Sequence, residues 1–139
     1  MKQAVIIYQS KTGITKKYDE EIGQFLSEKG VKTSILPVSD CKDGVTDQAD
    51  LVFMGCWTAG LMLFLQHPEK TWTDFAGKLP ALKGKKTVLF TTYKLATGSM
   101  FKNMRKHLGD KETDLSLELK SRNGKLTPEN KQVLTGLIN

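Results

Sequence analysis

A hydroxyl-rich turn follows the first apolar segment of the chain and has the composition of an anion-binding site. The run Ala4-Val5-Ile6-Ile7 leads directly into Tyr8-Gln9-Ser10-Lys11-Thr12-Gly13-Ile14-Thr15. This order predicts a strand, a tight turn and the start of a helix, whose first N–H groups lack partners and carry the positive end of the helix dipole. Glycine permits close approach of a ligand, and three hydroxyls can donate into the same volume. The stretch is therefore predicted to bind phosphate.

The kind of phosphate ligand is narrowed by the spacing of the glycines. The turn lacks the G-x-G-x-x-G pattern of dinucleotide binders and the G-x-x-x-x-G-K-[ST] pattern of nucleoside triphosphatases. A mononucleotide monophosphate is therefore the better fit.

The elements that position this turn alternate along the chain. Apolar runs predict strands over 3–8, 31–36, 51–54, 87–92 and 113–120, the third ending at Gly55. Helical spacing predicts helices over 13–29, from Pro68 to about Gly77, from a cap at Thr97 or Ser99 to Gly109, and from Thr127 onward. Residues 39–50 are predicted to be a loop with at most a short helix. Such alternation implies an α/β fold, with a parallel sheet covered by helices on both faces and one domain over residues 1–139.

Ligands of an open parallel sheet bind beyond the carboxyl ends of its strands. Three predicted loops lie at such ends, over 9–15, 55–60 and 92–98. Each carries residues suited to a flat, phosphate-bearing ligand, with Trp57 in the second loop and Tyr93 in the third.

The first loop resembles a known phosphate-binding motif. Ser10-Lys11-Thr12-Gly13-Ile14-Thr15 is similar in sequence and position to the S/T-x-T-G-x-T loop with which flavodoxins hold the phosphate of FMN. The resemblance extends through Gly55-Cys56-Trp57-Thr58 and 84–90 as a pattern of placement. It implies a short-chain flavodoxin-like protein: a doubly wound three-layer sandwich with a five-stranded parallel sheet in the order 2-1-3-4-5, and FMN as cofactor.

The resemblance also implies which residues contact the cofactor. Trp57 takes the place of the aromatic residue that flavodoxins stack on one face of the isoalloxazine ring, and Tyr93 that of the tyrosine covering the outer face. A flat ligand gains about 1 kcal/mol from stacking on an aromatic side chain. The alternative for each is packing against the protein itself. The implied cofactor-binding set is Ser10, Lys11, Thr12, Gly13, Ile14, Thr15, Cys56, Trp57, Thr58, Thr92, Tyr93, Lys94 and Gly98.

Lys94 lies in a loop that is usually neutral or acidic in flavodoxins. A positive charge there is expected to stabilise the anionic reduced flavin and to raise its reduction potential.

Cysteine and histidine do not form a recognisable reactive or metal-binding pattern. Cys41 and Cys56 have neither disulfide-framework nor metal spacing, and His67 and His107 stand apart. Cys56 is expected to be a buried, inert thiol, and no protein nucleophile and no metal site are predicted. The cysteine usage favours the cytoplasm.

The formal net charge of +6 favours acidic partners. No motif supports nucleic-acid binding, and the longest uncharged run, Leu51 to Leu65, is too short for a membrane span. The expected partners are redox proteins, a reductase and an acceptor enzyme. The apolar run Leu61-Met62-Leu63-Phe64-Leu65 is expected to lie under the following helix or to form a docking or dimer patch, so that the protein would be a monomer or a weak homodimer.

Three functions remain open from the sequence. The first is an electron carrier between larger redox enzymes. The second is an FMN-dependent NAD(P)H or quinone-type reductase of the same fold, and the third is an interaction module without cofactor.

Overall fold

Five parallel strands form one sheet in the order β2-β1-β3-β4-β5. The computed structural model describes residues 2–59, 66–82, 84–94, 96–109 and 114–139. The strands are β1 (Gln3–Gln9), β2 (Lys32–Pro37), β3 (Leu51–Trp57), β4 (Lys86–Thr92) and β5 (Asp114–Ser121). The predicted fold class and strand order are confirmed.

Four helices cover the two faces of the sheet. They are α1 (Ile14–Glu28), α2 (Lys70–Lys78), α3 (Met100–Leu108) and α4 (Pro128–Ile138), and a short 3₁₀ helix spans Val38–Asp40. α1 and α4 share a core with one face of the sheet, and α2 and α3 share a second core with the other face. No helix in the described part of the chain is long and apolar enough to cross a membrane.

Helix α1 follows the predicted pattern. Its residues Tyr18, Ile22 and Leu26 recur on one face and are fully buried against the sheet. Gly30, just beyond its end, has φ +85°, and its N–H donates to the carbonyl of Ser27. A left-handed glycine is the common way to end a helix, so the chain can turn directly into β2.

Strand β3 continues beyond the predicted end. Gly55, Cys56 and Trp57 pair in register with Phe90, Thr91 and Thr92 of β4. A Cβ on Gly55 would lie 2.1 Å from an atom of the Phe90 ring. Gly55 therefore makes room for a core aromatic instead of ending the strand, and Trp57 is the last residue of a strand instead of a loop residue.

Other boundaries differ in smaller ways. β2 includes Pro37, which is tolerated because β2 is an edge strand with a partner on one side only. α2 begins at Lys70 instead of Pro68. Ser99 precedes α3 without capping it through its side chain, because its hydroxyl donates instead to the carbonyl of Gln66 at 2.9 Å. The run 61–65 lies outside the described residues.

Candidate functional site

The turn between β1 and α1 is ordered by Ser10. Its Oγ accepts hydrogen bonds from the N–H groups of Gly13, at 3.0 Å, and Lys16, at 3.4 Å. The Ser10 hydroxyl hydrogen thus stays available to donate to a ligand. Gly13 has φ +91°, and among the described residues, its two chain neighbours aside, no atom lies within 4 Å of the position that a Cβ would occupy. The turn is therefore open on the side where a ligand could approach the backbone.

Backbone N–H groups at the start of α1 can receive an anion. Among the described residues, nothing accepts from the N–H groups of Thr12, Ile14 and Thr15, and no acidic residue lies in the first helical turn. Residues 11–14 are exposed. Unpaired amides, a helix dipole and a free hydroxyl suit the dianion of a phosphate monoester.

Thr92 connects the phosphate turn to the other strand ends. Its hydroxyl lies 2.5 Å from the hydroxyl of Thr15, and both side chains are buried. Its carbonyl accepts from the N–H of Thr58 at 3.0 Å. The Thr58 hydroxyl is in turn 2.8 Å from that of Thr91. The structure thus gathers Thr15, Thr58 and Thr92 at one edge of the sheet, with the Thr15 hydroxyl turned inward to Thr92.

Trp57 is held at the end of β3 by polar contacts. Its indole N–H donates to Glu69 Oε2 at 2.7 Å, and the amide of Gln9 donates to the same oxygen at 3.0 Å. The ammonium of Lys11 lies 4.8 Å from the centre of the Trp57 rings, a cation–π distance. The indole is half-buried, so a flat ligand can stack on it, but Lys11 already interacts with its π system.

Cys56 presents its side chain to the hydrophobic core. The thiol is fully buried, and its sulfur accepts from the N–H of Glu69 at 3.4 Å. Burial raises the pKa of this thiol to about 12. The side chain is therefore an inert thiol, and Cys56 can reach a ligand at the sheet edge only through its backbone.

Tyr93 follows β4 and is partly exposed. Its N–H donates to the carbonyl of Ser121, which ties the loop to β5. The ammonium of Lys120 lies 5.9 Å and the guanidinium carbon of Arg122 5.5 Å from the ring centre. Lys94, the next residue, is exposed. Both aromatic residues predicted for the site thus have cations beside their rings.

Gly98 lies close to the side chain of Gln66, which would have to move if Gly98 carried a Cβ. It has φ +48°, and a Cβ there would lie 2.1 Å from the side-chain oxygen of Gln66. Gln66 is buried, and its backbone carbonyl accepts hydrogen bonds from the side chains of Asn103 and Ser99. The loop before α3 is therefore fixed to the segment that leads into α2.

Three residues of this site have no signal in the sequence. Glu69 and Gln9 orient Trp57, and Gln66 supports Gly98. Each makes contacts that span different elements. Gln9 lies beside the predicted phosphate turn, but nothing in that stretch indicates its side-chain contact with Glu69. Among the residues that the structure describes, no group of three histidine, cysteine or acidic side chains could hold a metal ion.

Comparison with known proteins agrees with this geometry. Residues 5–116 match the family described as flavodoxin domain. The fold is similar to the two-electron reduced flavodoxin of Megasphaera elsdenii, with a TM-score of 0.75 and 23% identity over 94% of each chain. It is also similar to a short-chain flavodoxin associated with a bacterial microcompartment, with a TM-score of 0.71 and 19% identity over 98% of this chain and 93% of that one.

A larger enzyme contains the same fold. The rubredoxin oxygen:oxidoreductase of Desulfovibrio gigas matches with a TM-score of 0.72 and 16% identity, over 97% of this chain and 34% of that chain. The family match covers most of the sequence, so the chain belongs to the flavodoxin family. Membership of this family supports FMN binding and electron transfer as its general function.

Proposed function

We propose that this protein binds FMN and carries electrons between redox proteins. The proposal rests on the contacts that Thr92 makes. Its hydroxyl contacts Thr15 at the start of α1, and its carbonyl accepts from Thr58, the residue after Trp57. Tyr93 is the next residue in the chain. A phosphate site and two aromatic side chains at one sheet edge match the two chemically different ends of FMN.

Each part of the site has a role toward the cofactor. The phosphate would be held by the hydroxyls of Ser10 and Thr12. Backbone amides around Gly13, from Lys11, Ile14 and Thr15, would also hold it. Trp57 and Tyr93 would flank the ring. The polar edge of the flavin ring would contact backbone and hydroxyl groups at the strand ends. These groups come from Cys56, Thr58, Thr92, Lys94 and Gly98. FMN, when bound, supplies the one-electron chemistry, and the chain supplies position and charge.

The cations beside the aromatic residues favour the reduced state. Lys11 lies over Trp57, and Lys120 and Arg122 lie beside Tyr93. A reduced flavin bound as an anion would gain Coulomb energy from them, so its reduction potential would rise relative to a neutral or acidic site.

The partners of such a carrier would be a reductase and an acceptor enzyme. With a net charge of +6, the protein would attract acidic partners rather than basic ones. Cys41 and Cys56 form no disulfide with each other, which fits a cytoplasmic location.

The proposal is tested by titrating the purified protein with FMN and with riboflavin, followed by flavin fluorescence. FMN should bind at least about a hundredfold more tightly than riboflavin, because the phosphate turn acts only on FMN. Ser10→Ala should reduce this preference, and Thr135→Val, a partly exposed position of α4 whose hydroxyl donates only within the helix, should leave it unchanged. Equal binding of the two ligands, or no binding of either, would refute the proposal.

Steady NADPH or NADH oxidation separates the carrier from the reductase. A carrier loaded with FMN should not oxidise either nucleotide steadily without a partner. Sustained turnover by the protein alone would favour the reductase.

A further inference from the structure

A groove lies between α3 and the edge strand β5. α3 buries Met100, Met104 and Leu108 in the core that it shares with α2, β3 and β4. β5 buries Leu119 on the opposite face, with α1 and α4. On the other face of β5, Glu118 and Lys120 are exposed, and a cavity of about 540 Å³ opens between them and α3.

The groove has an apolar wall and charged sides. Phe101, partly buried, contributes the apolar surface, and Lys102 and Arg105 come from the same helix. Glu118 and Lys120 point into the groove from β5. Alternation along the strand explains this, because residues two apart share a face.

The positive charges of the groove are only partly neutralised. Arg105 pairs with Glu118, with a guanidinium nitrogen 2.9 Å from the carboxylate. None of the described residues forms an ion pair with Lys102 or Lys120, and both are exposed. Over 93–125 the sequence has eight lysines and arginines and four acidic residues, three of which, Asp110, Glu112 and Asp114, fall within 110–116. The residues that line the groove include three basic side chains, Lys102, Arg105 and Lys120, and one acidic side chain, Glu118.

The groove reaches the candidate cofactor site. Its upper end is lined by Thr97 and Gly98, in the loop that follows Tyr93. Lys120 takes part in both places, because it lines the groove and its ammonium lies beside the Tyr93 ring. A partner seated in the groove would therefore lie next to the outer aromatic residue of the site.

We propose that this groove is the docking surface for an acidic segment of a redox partner protein. Carboxylate side chains of the partner would pair with Lys102 and Lys120, while an apolar side chain would contact Phe101. The proposal rests on the proposed function, since docking beside Tyr93 would bring the partner close to the cofactor for electron transfer. Charge complementarity identifies the occupant as acidic. The apolar wall and the Glu118 carboxylate suit a peptide better than a nucleic-acid backbone, which offers phosphates at every step.

The first experiment maps binding by nuclear magnetic resonance. A decaglutamate peptide with one central leucine is titrated into the isotope-labelled protein, both with FMN and without it. Shifts should concentrate on the groove residues. Lys102→Glu/Lys120→Glu should weaken binding about tenfold or more at low salt, as expected for two steering charges. Lys32→Glu/Lys42→Glu gives the same net charge through exposed residues of β2, the other edge strand, and of the segment after the 3₁₀ helix, and it should bind like the wild type.

The outcomes separate the two proposals. Groove shifts in the FMN-free protein support the docking surface even if FMN fails to bind. Shifts spread over other surfaces, or equal weakening in both double variants, would overturn it. A ten-nucleotide thymidylate that binds the groove more tightly than the peptide at equal ionic strength would also overturn it.

The second experiment reads the charge beside the cofactor. The reduced, FMN-loaded protein is oxidised by hexacyanoferrate(III), an anion, and by hexaammineruthenium(III), a cation. The ratio of the anion rate to the cation rate should fall about tenfold or more in Lys102→Glu/Lys120→Glu and stay near the wild-type value in Lys32→Glu/Lys42→Glu. An unchanged ratio in the groove variant would contradict a docking surface beside the site.

Discussion

Asp19 makes the stability of this protein depend on pH in an unusual direction. The residue lies on α1 with an exposed fraction of 0%, and neither carboxylate oxygen has a hydrogen-bond partner among the described residues. The pKa of Asp19 is raised from 3.8 to about 8, mainly by burial and to a smaller extent by Glu20, while Lys16 opposes the change. Asp19 in turn contributes to the raised pKa of Tyr8, after burial of that side chain.

The sign follows from proton binding. Between about pH 4 and pH 8 the folded state keeps a proton on Asp19 that the unfolded state has released, so the free energy of unfolding falls as the pH rises. Each rise of one pH unit inside this window lowers the free energy of unfolding by about 1.4 kcal/mol. The wild type should therefore lose roughly 2 to 3 kcal/mol of unfolding free energy between pH 5 and pH 7 from this group. Asp19→Asn, which is similar in size and cannot ionise, should not show that loss.

Urea unfolding of the FMN-free protein, followed by tryptophan fluorescence, measures this difference at pH 5, 6 and 7. The gap between Asp19→Asn and the wild type should widen with pH, leaving the variant more stable by about 2 to 4 kcal/mol at pH 7. Asp43→Asn, the same substitution at an exposed loop position, should follow the wild type closely. Parallel curves for Asp19→Asn and the wild type would show that the carboxyl does not stay protonated in the fold.

Three further changes test the site and the core. Lys94→Gln should lower the reduction potential of the bound flavin on the order of tens of millivolts, because a nearby cation is lost; a potentiometric titration that shows no decrease would contradict this. Glu69→Ala removes the acceptor of the 2.7 Å indole hydrogen bond and should weaken FMN binding about tenfold in a fluorescence titration, whereas unchanged affinity would mean that the indole needs no such support. Gly55→Ala places a methyl group 2.1 Å from the Phe90 ring and should lower the free energy of unfolding in urea by about 1 to 3 kcal/mol. Gly77→Ala, whose added methyl group would lie in open space, should not destabilise α2. Equal stability of these two glycine variants would refute the packing argument.

Local patterns in the sequence were enough to predict the architecture. The apolar run before Ser10, the hydroxyl-rich turn and the apolar face of α1 are each encoded by residues close together in the chain. Their physical causes, hydrophobic periodicity and the backbone freedom of Gly13, act over a few residues. Alternation of such segments then fixed the parallel sheet, because parallel strands need crossover connections.

The limits of local patterns are clearest at Gly55. A glycine after an apolar run predicts the end of a strand, and that prediction was wrong because Phe90 of the neighbouring strand occupies the space above it. Strand register decides such a contact, and register depends on the whole sheet. For the same reason, the sequence does not predict the 2.5 Å contact between Thr15 and Thr92, which lie 77 positions apart in the chain.

The sequence by itself determined the phosphate turn, the order of elements and the presence of Trp57 and Tyr93 near strand ends. Only the tertiary structure decided which charges surround them. Lys11 over Trp57, Glu69 on its indole N–H, and Lys120 beside Tyr93 join residues from separate elements. Electrostatic interactions depend on distance through space, which is set only when the helices and strands have packed together.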